Sequence, residues 1–513
     1  MVRLSCWRSL APAAALACSL LAGCASLDAR HELERSAAAV ESAVGVSSEL
    51  LMLDETTARE KTAALLADGL SADEAVQVAL LNNPRVRAAM LSIGVSRADF
   101  VQSTLFTNPT LTLSLRLPDG GGLANFEAAL TQNIAELWLI PARRRVAQQE
   151  LDRTVLDAAR IAASVALEAR IAYVHAVRAG GQQLLAQEQL AIAERLVEIA
   201  GLRQQAGSGS EIDINLARSQ RLEAQTALRD ARLAGVEARA ELARLLGLST
   251  PPEALNPTDR LDEPKAGLAG AETLQQLARE HRLDLRIADH TVAAAEARLR
   301  EERVRFLKSL EVGLALERGE RRSPGDRNWV AETFYDSLQS RALTPPNLMP
   351  RPSEGQDVIL GPTLGVELPL WDQNQARIAK AERLLAQSTQ LRDALLIDVA
   401  QDIHSRLARA QTAAENARFY RDEQLPAAER SAQLSRDAYR AGRLPFLSVL
   451  EAERNLLTAR SGYLAALEAA ALATIDLERS TGRTAEMLFG AGAADHSATM
   501  HPASAPASAE VVR

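Results

Sequence analysis

Residues Asn108 to Gly122 read NPTLTLSLRLPDGGG, and they interrupt a chain otherwise dominated by Ala, Leu, Gln, Glu and Arg. Leu111, Leu113, Leu115 and Leu117 alternate with Thr110, Thr112, Ser114 and Arg116 before Pro118 and three glycines, the period-two pattern of a strand entering a turn. On either side the composition is that of helix. The fold turns on what a strand does between long helices.

Upstream, the pattern predicts a helix from Asp73 to Leu105 with a break at Asn83-Pro84. Downstream, a second strand is expected from Leu123 to Ile134, then a helix from Ala142 to Gln205. No proline lies between Pro141 and Pro251, so nothing there forces a kink, and such a helix would run on the order of 95 Å. Gly207 suits the left-handed position that ends a helix, and Ser210-Glu211-Ile212-Asp213 fits a capping box that restarts one. So short a turn makes an antiparallel hairpin, with the returning helix ending near Gly247.

The same order recurs. Ala206-Gly207, Asp213 and Gly247 find counterparts in Ala441-Gly442, Ser448 and Gly482, 235 residues on. Val86-Arg87 and the first strand match Leu285-Arg286 and Ser309 to Glu317 at offsets near 200, the difference being taken up by an insertion at 318–357. Two tandem copies follow, 71–250 and 271–485, joined by a linker at 251–270. The second copy predicts helices from Glu272 to Lys308 and from Ala376 to Arg440, a turn at Gly442 with Pro445 opening the return, and an end at Gly482. In each copy the returning helix is shorter than its partner. Glu272 to Lys308 supplies the missing length in the first copy and Asp73 to Leu105 in the second. Along the first long helix Leu151, Val155, Ala158, Ala162, Val165, Ala169, Ala172 and Ala176 form a heptad seam of mostly small residues, which allows close helix packing with few large rings.

Four strands emerge per chain, 109–117, 123–134, 309–317 and 358–371. Leu310, Val312, Leu314 and Leu316 alternate with Glu311, Gly313, Ala315 and Glu317; Leu360, Leu364, Val366, Leu368 and Leu370 alternate with Gly361, Thr363, Gly365 and Glu367. One apolar and one polar face over eight to ten residues suits a strand crossing an outer membrane. Four strands cannot close a barrel, and an open edge in lipid leaves backbone groups unsatisfied. Two copies would give eight strands around a filled interior, three would give twelve around a channel. Against this stands a small sheet capping a soluble helical stalk. The fold class expected is mainly helical with a membrane β-barrel portion: long antiparallel coiled-coil hairpins plus four transmembrane strands per chain.

The N-terminus gives an address. Arg3 and Arg8 flank an Ala/Leu-rich run ending in Leu21-Ala22-Gly23-Cys24, so residues 1–23 read as a secretory signal. LAGC resembles the lipobox of bacterial lipoproteins. The resemblance implies cleavage before Cys24, lipidation of its thiol, a lipidated segment over 24–70, and, from Ala25, sorting to the outer membrane. Cys6 and Cys18 leave with the signal, so of three cysteines no disulfide framework remains. Net charge of -8 without a basic tract argues against nucleic acid. Seven histidines are scattered without an HExxH or Cys/His pattern, and no nucleophile elbow is found, so neither an enzyme nor a cofactor is expected.

LNNPRVRAA at 81–89, NPTL at 108–111, GPTLGVELPLWDQNQARIA at 361–379 and YRAGRLPFLSVLEAERNLL at 439–457 together resemble the TolC-type outer-membrane efflux proteins. That resemblance covers 71–485 in both copies. It implies a homotrimer with a twelve-stranded outer-membrane barrel over a periplasmic helical tunnel, the exit duct of a tripartite pump whose adaptor and inner-membrane transporter supply connection and energy. It also implies a periplasmic gate at the helix turns, with Asp213, Tyr439 and Glu451 at gate positions. Here Ser448 stands where an aspartate is usual, and Arg443 lies one residue before the gate arginine's place, which Leu444 takes. Asp213 is equally a helix cap. The turn residues Gly207, Gly442, Leu444, Phe446, Leu447 and Val449 read either as a surface for the adaptor or as packing between helices. Conduction would be passive, since no nucleotide loop or spanning helix bundle is present.

The insertion 318–357 falls where the resemblance puts an extracellular loop, a lid or a tolerated surface insertion. His496, Met500 and His501 offer soft-metal ligands, but the 486–513 tail has the Ala/Pro/Ser composition of a disordered segment and no metal site is expected. The competing whole-chain reading is a lipid-anchored periplasmic scaffold of hairpins without a pore. The cargo, the pump served and the resting state of the gate are not written in the sequence.

Overall fold

A computed structural model describes residues 26–117, 123–207, 209–265, 267–322, 329–343 and 353–489. The expected signal over 1–23, Cys24, the three glycines at 120–122 and the His/Met tail lie outside them. In chain order the elements are α1 (Arg30–Val44), a 3-10 turn (Ser48–Met52), α2 (Glu55–Leu65), α3 (Ala72–Asn82), α4 (Pro84–Thr104), β1 (Thr110–Arg116), β2 (Asn125–Asn133), α5 (Glu136–Gln205) and α6 (Glu211–Leu245). Then follow α7 (Ala271–His281), α8 (Leu283–Val304), β3 (Leu310–Arg322), α9 (Trp329–Ser340), β4 (Ser353–Val366) and α10 (Gln375–Phe419). A π turn (Tyr420–Gln424), α11 (Leu425–Arg440), α12 (Phe446–Thr481) and α13 (Ala485–Leu488) complete the chain. No helix among the described residues is long and apolar enough to cross a membrane, a test that does not bear on strands.

The chain divides into two compact units. One gathers residues up to Ala98, Glu150–Val292 and Ser388 onward; its core is helix on helix. All eight residues of the heptad seam are buried, from Leu151 at 0 % exposure to Ala176 at 5 %. Val40, Val44 and Leu50 of the N-terminal segment pack into this same core beside Val76, Leu80 and Leu246. Two cross-chain pairs, Arg35 to Asp152 at 2.7 Å and Arg97 to Glu32 at 3.1 Å, tie α1 down.

Each copy has a junction of the same kind. Between α3 and α4, buried Asn83 donates its side-chain amide to the Leu245 carbonyl at 2.8 Å, serving one of the carbonyls that the end of α6 leaves without a helical partner. Between α7 and α8, Arg282 donates to the Ser480 carbonyl at 3.1 Å near the end of α12, and its guanidinium is held by Asp284 at 2.6 Å. Asn83-Pro84 announces the first break, because asparagine caps a helix and proline opens one. The second was not expected: Arg282-Leu283 contains no breaker, and the extended backbone at Arg282 is held by the bonds its side chain makes across to α12. The glycine after each returning helix closes the junction. Gly247 and Gly482 both have φ of +69°, and a Cβ would stand 2.7 Å from the Asn82 carbonyl oxygen in one case and 3.0 Å from the His281 carbonyl oxygen in the other.

The long helix of the second copy, expected unbroken from Ala376 to Arg440, is interrupted by the π turn. Pro426 has no N–H for the carbonyl of Asp422. The helix widens just before it, with the Leu425 N–H bonding the Tyr420 carbonyl five residues back. The Tyr420 ring lies over Gly462, where a Cβ would come within 2.6 Å of it.

The other unit comprises Asp99–Gln149 and Ala293–Gln387 and holds the sheet. The four strands are antiparallel in the order β1-β2-β3-β4. Their register lines up one apolar row after another: Leu113, Ala128, Leu316 and Leu360 are mutual partners across the sheet, as are Leu111, Leu130, Leu314 and Pro362. Alternating with them run polar and small rows, Thr110, Thr131, Gly313 and Thr363, then Thr112, Ala129, Ala315 and Gly361. The strand bounds differ from expectation at β3 and β4. Both extend into the insertion, whose described residues also include α9, and Arg318 bridges to Gln356 at 2.9 Å there. β4 ends at Val366 rather than 371, because Leu310 is the first residue of its partner β3.

Gly247→Ala adds a methyl against a fixed carbonyl in addition to the left-handed backbone. Gly207→Ala, with φ of +72° and nothing within 4 Å, carries the backbone cost alone. The expected losses of stability are about 1 kcal/mol at Gly207 and about 2 kcal/mol or more at Gly247. Denaturant midpoints of the detergent-solubilised variants measure them; equal losses would contradict the packed junction.

Candidate functional site

The candidate residues fall at the two hairpin turns, and all belong to the helical unit. In the first turn Gly207 takes the left-handed conformation and its N–H bonds the Gln204 carbonyl at 2.9 Å. Ser210 then caps α6: its hydroxyl accepts the Ile212 N–H at 3.1 Å, and the Asp213 carboxylate reaches back to the Ser210 N–H at 3.5 Å. In the second turn Gly442 has φ of +73°, its N–H bonds the Tyr439 carbonyl at 2.9 Å, and the Arg443 N–H bonds the Ala438 carbonyl at 2.8 Å. Pro445 precedes the first residue of α12.

Where the two hairpins meet, a small core is formed by Leu196, Ala200, Ile214, Ala217, Tyr439, Phe446 and Val449. Tyr439 is 2 % exposed and stands edge-on to Phe446, ring centroids 5.6 Å apart. The Arg203 guanidinium, on the last turn of α5, lies 4.5 Å from the centre of the Tyr439 ring and donates Nη1–H to the Tyr439 carbonyl. The Tyr439 hydroxyl is buried with no hydrogen-bond partner among the described residues. Burial pushes its pKa upward; the Arg203 charge opposes this and the Asp213 charge adds to it.

The expected site residues therefore separate by position. Phe446 is buried, which places it in packing within the chain, while Leu444 and Leu447 are 40 % and 63 % exposed. Ile212, on the first turn, is 68 % exposed and joins them as an apolar residue at the turns. Arg443 and Glu451 are exposed. Asp213 is occupied as a cap and is close enough to Tyr439 to act on it through space. Arg203 and the ion pair between Arg436 and Glu453 were missed by sequence reading. Arg203 is one of many arginines on α5, and only its position opposite a residue far along the chain distinguishes it.

Behind the turns, Leu185, Ile192, Leu196, Leu450 and Leu456 line a cleft of about 30 Å³ with Gln189, Gln220 and Glu453 at its polar side. No group of three or more His, Cys, Asp or Glu among the described residues is arranged to hold a metal ion. The chemistry on offer is that of a clasp: an apolar contact, a cation on a ring, and exposed charges beside it.

Known proteins share this architecture. Residues 274–483 match the family described as outer membrane efflux protein. No curated protein matches the chain. Among solved structures, a membrane protein from Pseudomonas aeruginosa is similar with a TM-score of 0.62 at 17% identity, covering 80% of this chain and 93% of its own. The outer membrane protein VceC of Vibrio cholerae gives 0.60 at 15% identity, covering 80% and 96%. The CmeC outer membrane channel of Campylobacter jejuni gives 0.61 at 16% identity, covering 80% and 85%.

Ser210→Ala is expected to weaken the start of α6 by about 1 kcal/mol. Hydrogen exchange should quicken at the Ile212 amide and leave the end of α11 unchanged, since that end is closed by backbone bonds around Gly442. Equal loosening of both turns would show that the caps do not act independently. Residues 274–483 thus match the outer membrane efflux protein family, and the chain that carries them has the fold of the outer-membrane channels its motifs resemble.

Proposed function

We propose that the chain is the protomer of an outer-membrane efflux channel, three copies sharing one twelve-stranded barrel and conducting passively toward the exterior. The observation that carries this is the sheet. Its apolar rows stand open, with Leu113, Leu314 and Leu360 between 57 % and 68 % exposed, and its outer strands β1 and β4 have no further strand partner among the described residues. A face of that kind needs lipid, and edges of that kind need other strands. The ends of the strands add support: Phe106, Phe306 and Trp371 are 52 %, 55 % and 87 % exposed where helix passes into strand or strand into helix. Aromatic rings at that level suit the membrane-water interface.

The finer parts of the proposal follow from the resemblance. Cys24 would carry the lipid, the turns would face a periplasmic adaptor through Leu444, Leu447 and the glycines Gly207 and Gly442, and an inner-membrane transporter would supply the energy. Asp213, Tyr439, Arg443 and Glu451 would lie at the periplasmic constriction, where exposed Glu451 favours cations.

Two neighbouring residues test the barrel. Leu113 and Thr112 are adjacent on β1 and project to opposite faces of the sheet. In a membrane barrel Leu113→Arg costs about 2–4 kcal/mol at the bilayer midplane, while Thr112→Arg faces water and is tolerated. Folding into lipid vesicles, read by heat-modifiable migration and protease protection, should fail for the first and proceed for the second. Indifference to both, with a soluble elongated particle, would support a lipid-anchored scaffold instead. In planar bilayers the wild-type protein should give a small cation-biased conductance that loses its bias in Glu451→Gln.

A further inference from the structure

We infer that Arg203 is the residue that fastens the second hairpin to the first at their turns, and that it does so through the ring and main-chain carbonyl of Tyr439, leaving the tyrosine hydroxyl without a part. The resemblance assigns Asp213 and Tyr439 to the gate, and an aspartate facing a tyrosine invites a bond from hydroxyl to carboxylate. The geometry is otherwise. The hydroxyl is buried and makes no hydrogen bond among the described residues, and the Asp213 carboxylate turns back to the Ser210 N–H at 3.5 Å. Arg203 instead places its guanidinium 4.5 Å from the ring centre and donates to the carbonyl of the same residue.

Each half of this contact has a physical reason. The ring face is electron-rich and attracts a cation, more strongly where water is excluded. Tyr439 is 98 % removed from solvent, with Phe446 edge-on at 5.6 Å and Val449, Leu196 and Ile214 completing the enclosure. The carbonyl of Tyr439 belongs to the last turn of α11, where helix carbonyls run out of partners, and it already accepts the Gly442 N–H. A cation at a helix C-terminus is favoured there, and a charged donor makes the stronger kind of hydrogen bond. One side chain thereby holds the end of α11, on the second hairpin, against the end of α5, on the first. Asp213 contributes a negative charge nearby and the cap of α6, without touching the ring's hydroxyl. In the function proposed above, on which its bearing on conduction rests, Arg203 is a positioning residue that sets how readily the tip opens.

The experiment compares Arg203→Ala, Arg203→Lys, Tyr439→Phe and Asp213→Asn in the full chain solubilised in detergent. Two readouts are taken, hydrogen exchange of the amides at 196–217 and 436–452, and single-channel conductance. Arg203→Ala should raise exchange at both turns roughly tenfold, and Arg203→Lys should restore part of the protection because a cation over the ring is retained. Tyr439→Phe should stay within about twofold of wild type, since the atom removed makes no hydrogen bond among the described residues. Asp213→Asn should loosen only the first turn of α6. The inference is overturned if Tyr439→Phe loosens the turns as much as Arg203→Ala, which would restore the hydroxyl link, or if Arg203→Ala leaves exchange at 436–452 unchanged. Conductance separates this from the channel proposal. If exchange behaves as expected while no variant conducts, nor the wild type, the fastening stands and the channel falls. If Arg203→Ala both loosens the turns and raises conductance, both stand.

Discussion

Backbone hydrogen bonding at the edges of a four-stranded sheet is the constraint on which the rest of this molecule depends. Every N–H and C=O along the outer sides of β1 and β4 needs a partner, and in hydrocarbon water cannot be that partner. The apolar rows deepen the requirement, because a sheet facing water on both sides would leave them exposed. Under the function proposed above, assembly is then a condition of the fold as much as of the function. Such a protomer would have a packed core in its helical part and be incomplete in its strands. The long helices pack on one another through the small-residue seam that lets them lie close.

The two copies reach the same junction by different chemistry. One uses a buried neutral amide on a helix-end carbonyl, the other a guanidinium clamped by its own carboxylate. What is common is geometric: a side chain at the break between two consecutive helices serves the carbonyls of the returning helix, and a left-handed glycine lets the backbones meet. Divergence of the residues with retention of the contact is what tandem copies of one unit allow, since each junction needs a donor and a glycine and tolerates several donors.

Much of this was legible in the sequence, and the parts that were not have a common cause. Period-two alternation put Leu111, Leu113 and Leu115 on one face; the register keeps the rows of Leu111 and Leu113 apolar across all four strands, while the row of Leu115 meets Arg318 on β3. The heptad spacing found the buried seam residue by residue, and Gly207, Gly442, Gly247 and Gly482 marked turns because left-handed backbone selects glycine. These are local signals. Arg203 on Tyr439, Arg282 on Ser480 and the helical packing of Val40 and Leu50 are pairings of residues far apart in one chain, and no spacing rule carries them. Phe446 shows the middle ground. Its hydrophobicity promised either a docking surface or a packing role, and only the partner ring decides between them. The insertion misled in another way: polar residues such as Arg318 and Gln356 continue the strands of a hairpin beyond the apolar rows, so the end of the hydrophobic alternation was not the end of the ladder.

The π turn at Tyr420–Gln424 has a consequence for how the copies compare. Val165, Ala169, Tyr173 and Ala176 of α5 and Val399, Ile403, Leu407 and Ala410 of α10 are buried at a separation of 234 residues, whereas the glycine turns are separated by 235. The second copy therefore carries one residue more between its seam and its tip. In a regular helix one additional residue rotates everything beyond it by about 100°. A wider turn absorbs the extra residue locally, so the seam below and the clasp above can each keep its own phase. The bulge beside Pro426 is, in that sense, the place where the second copy stores its insertion.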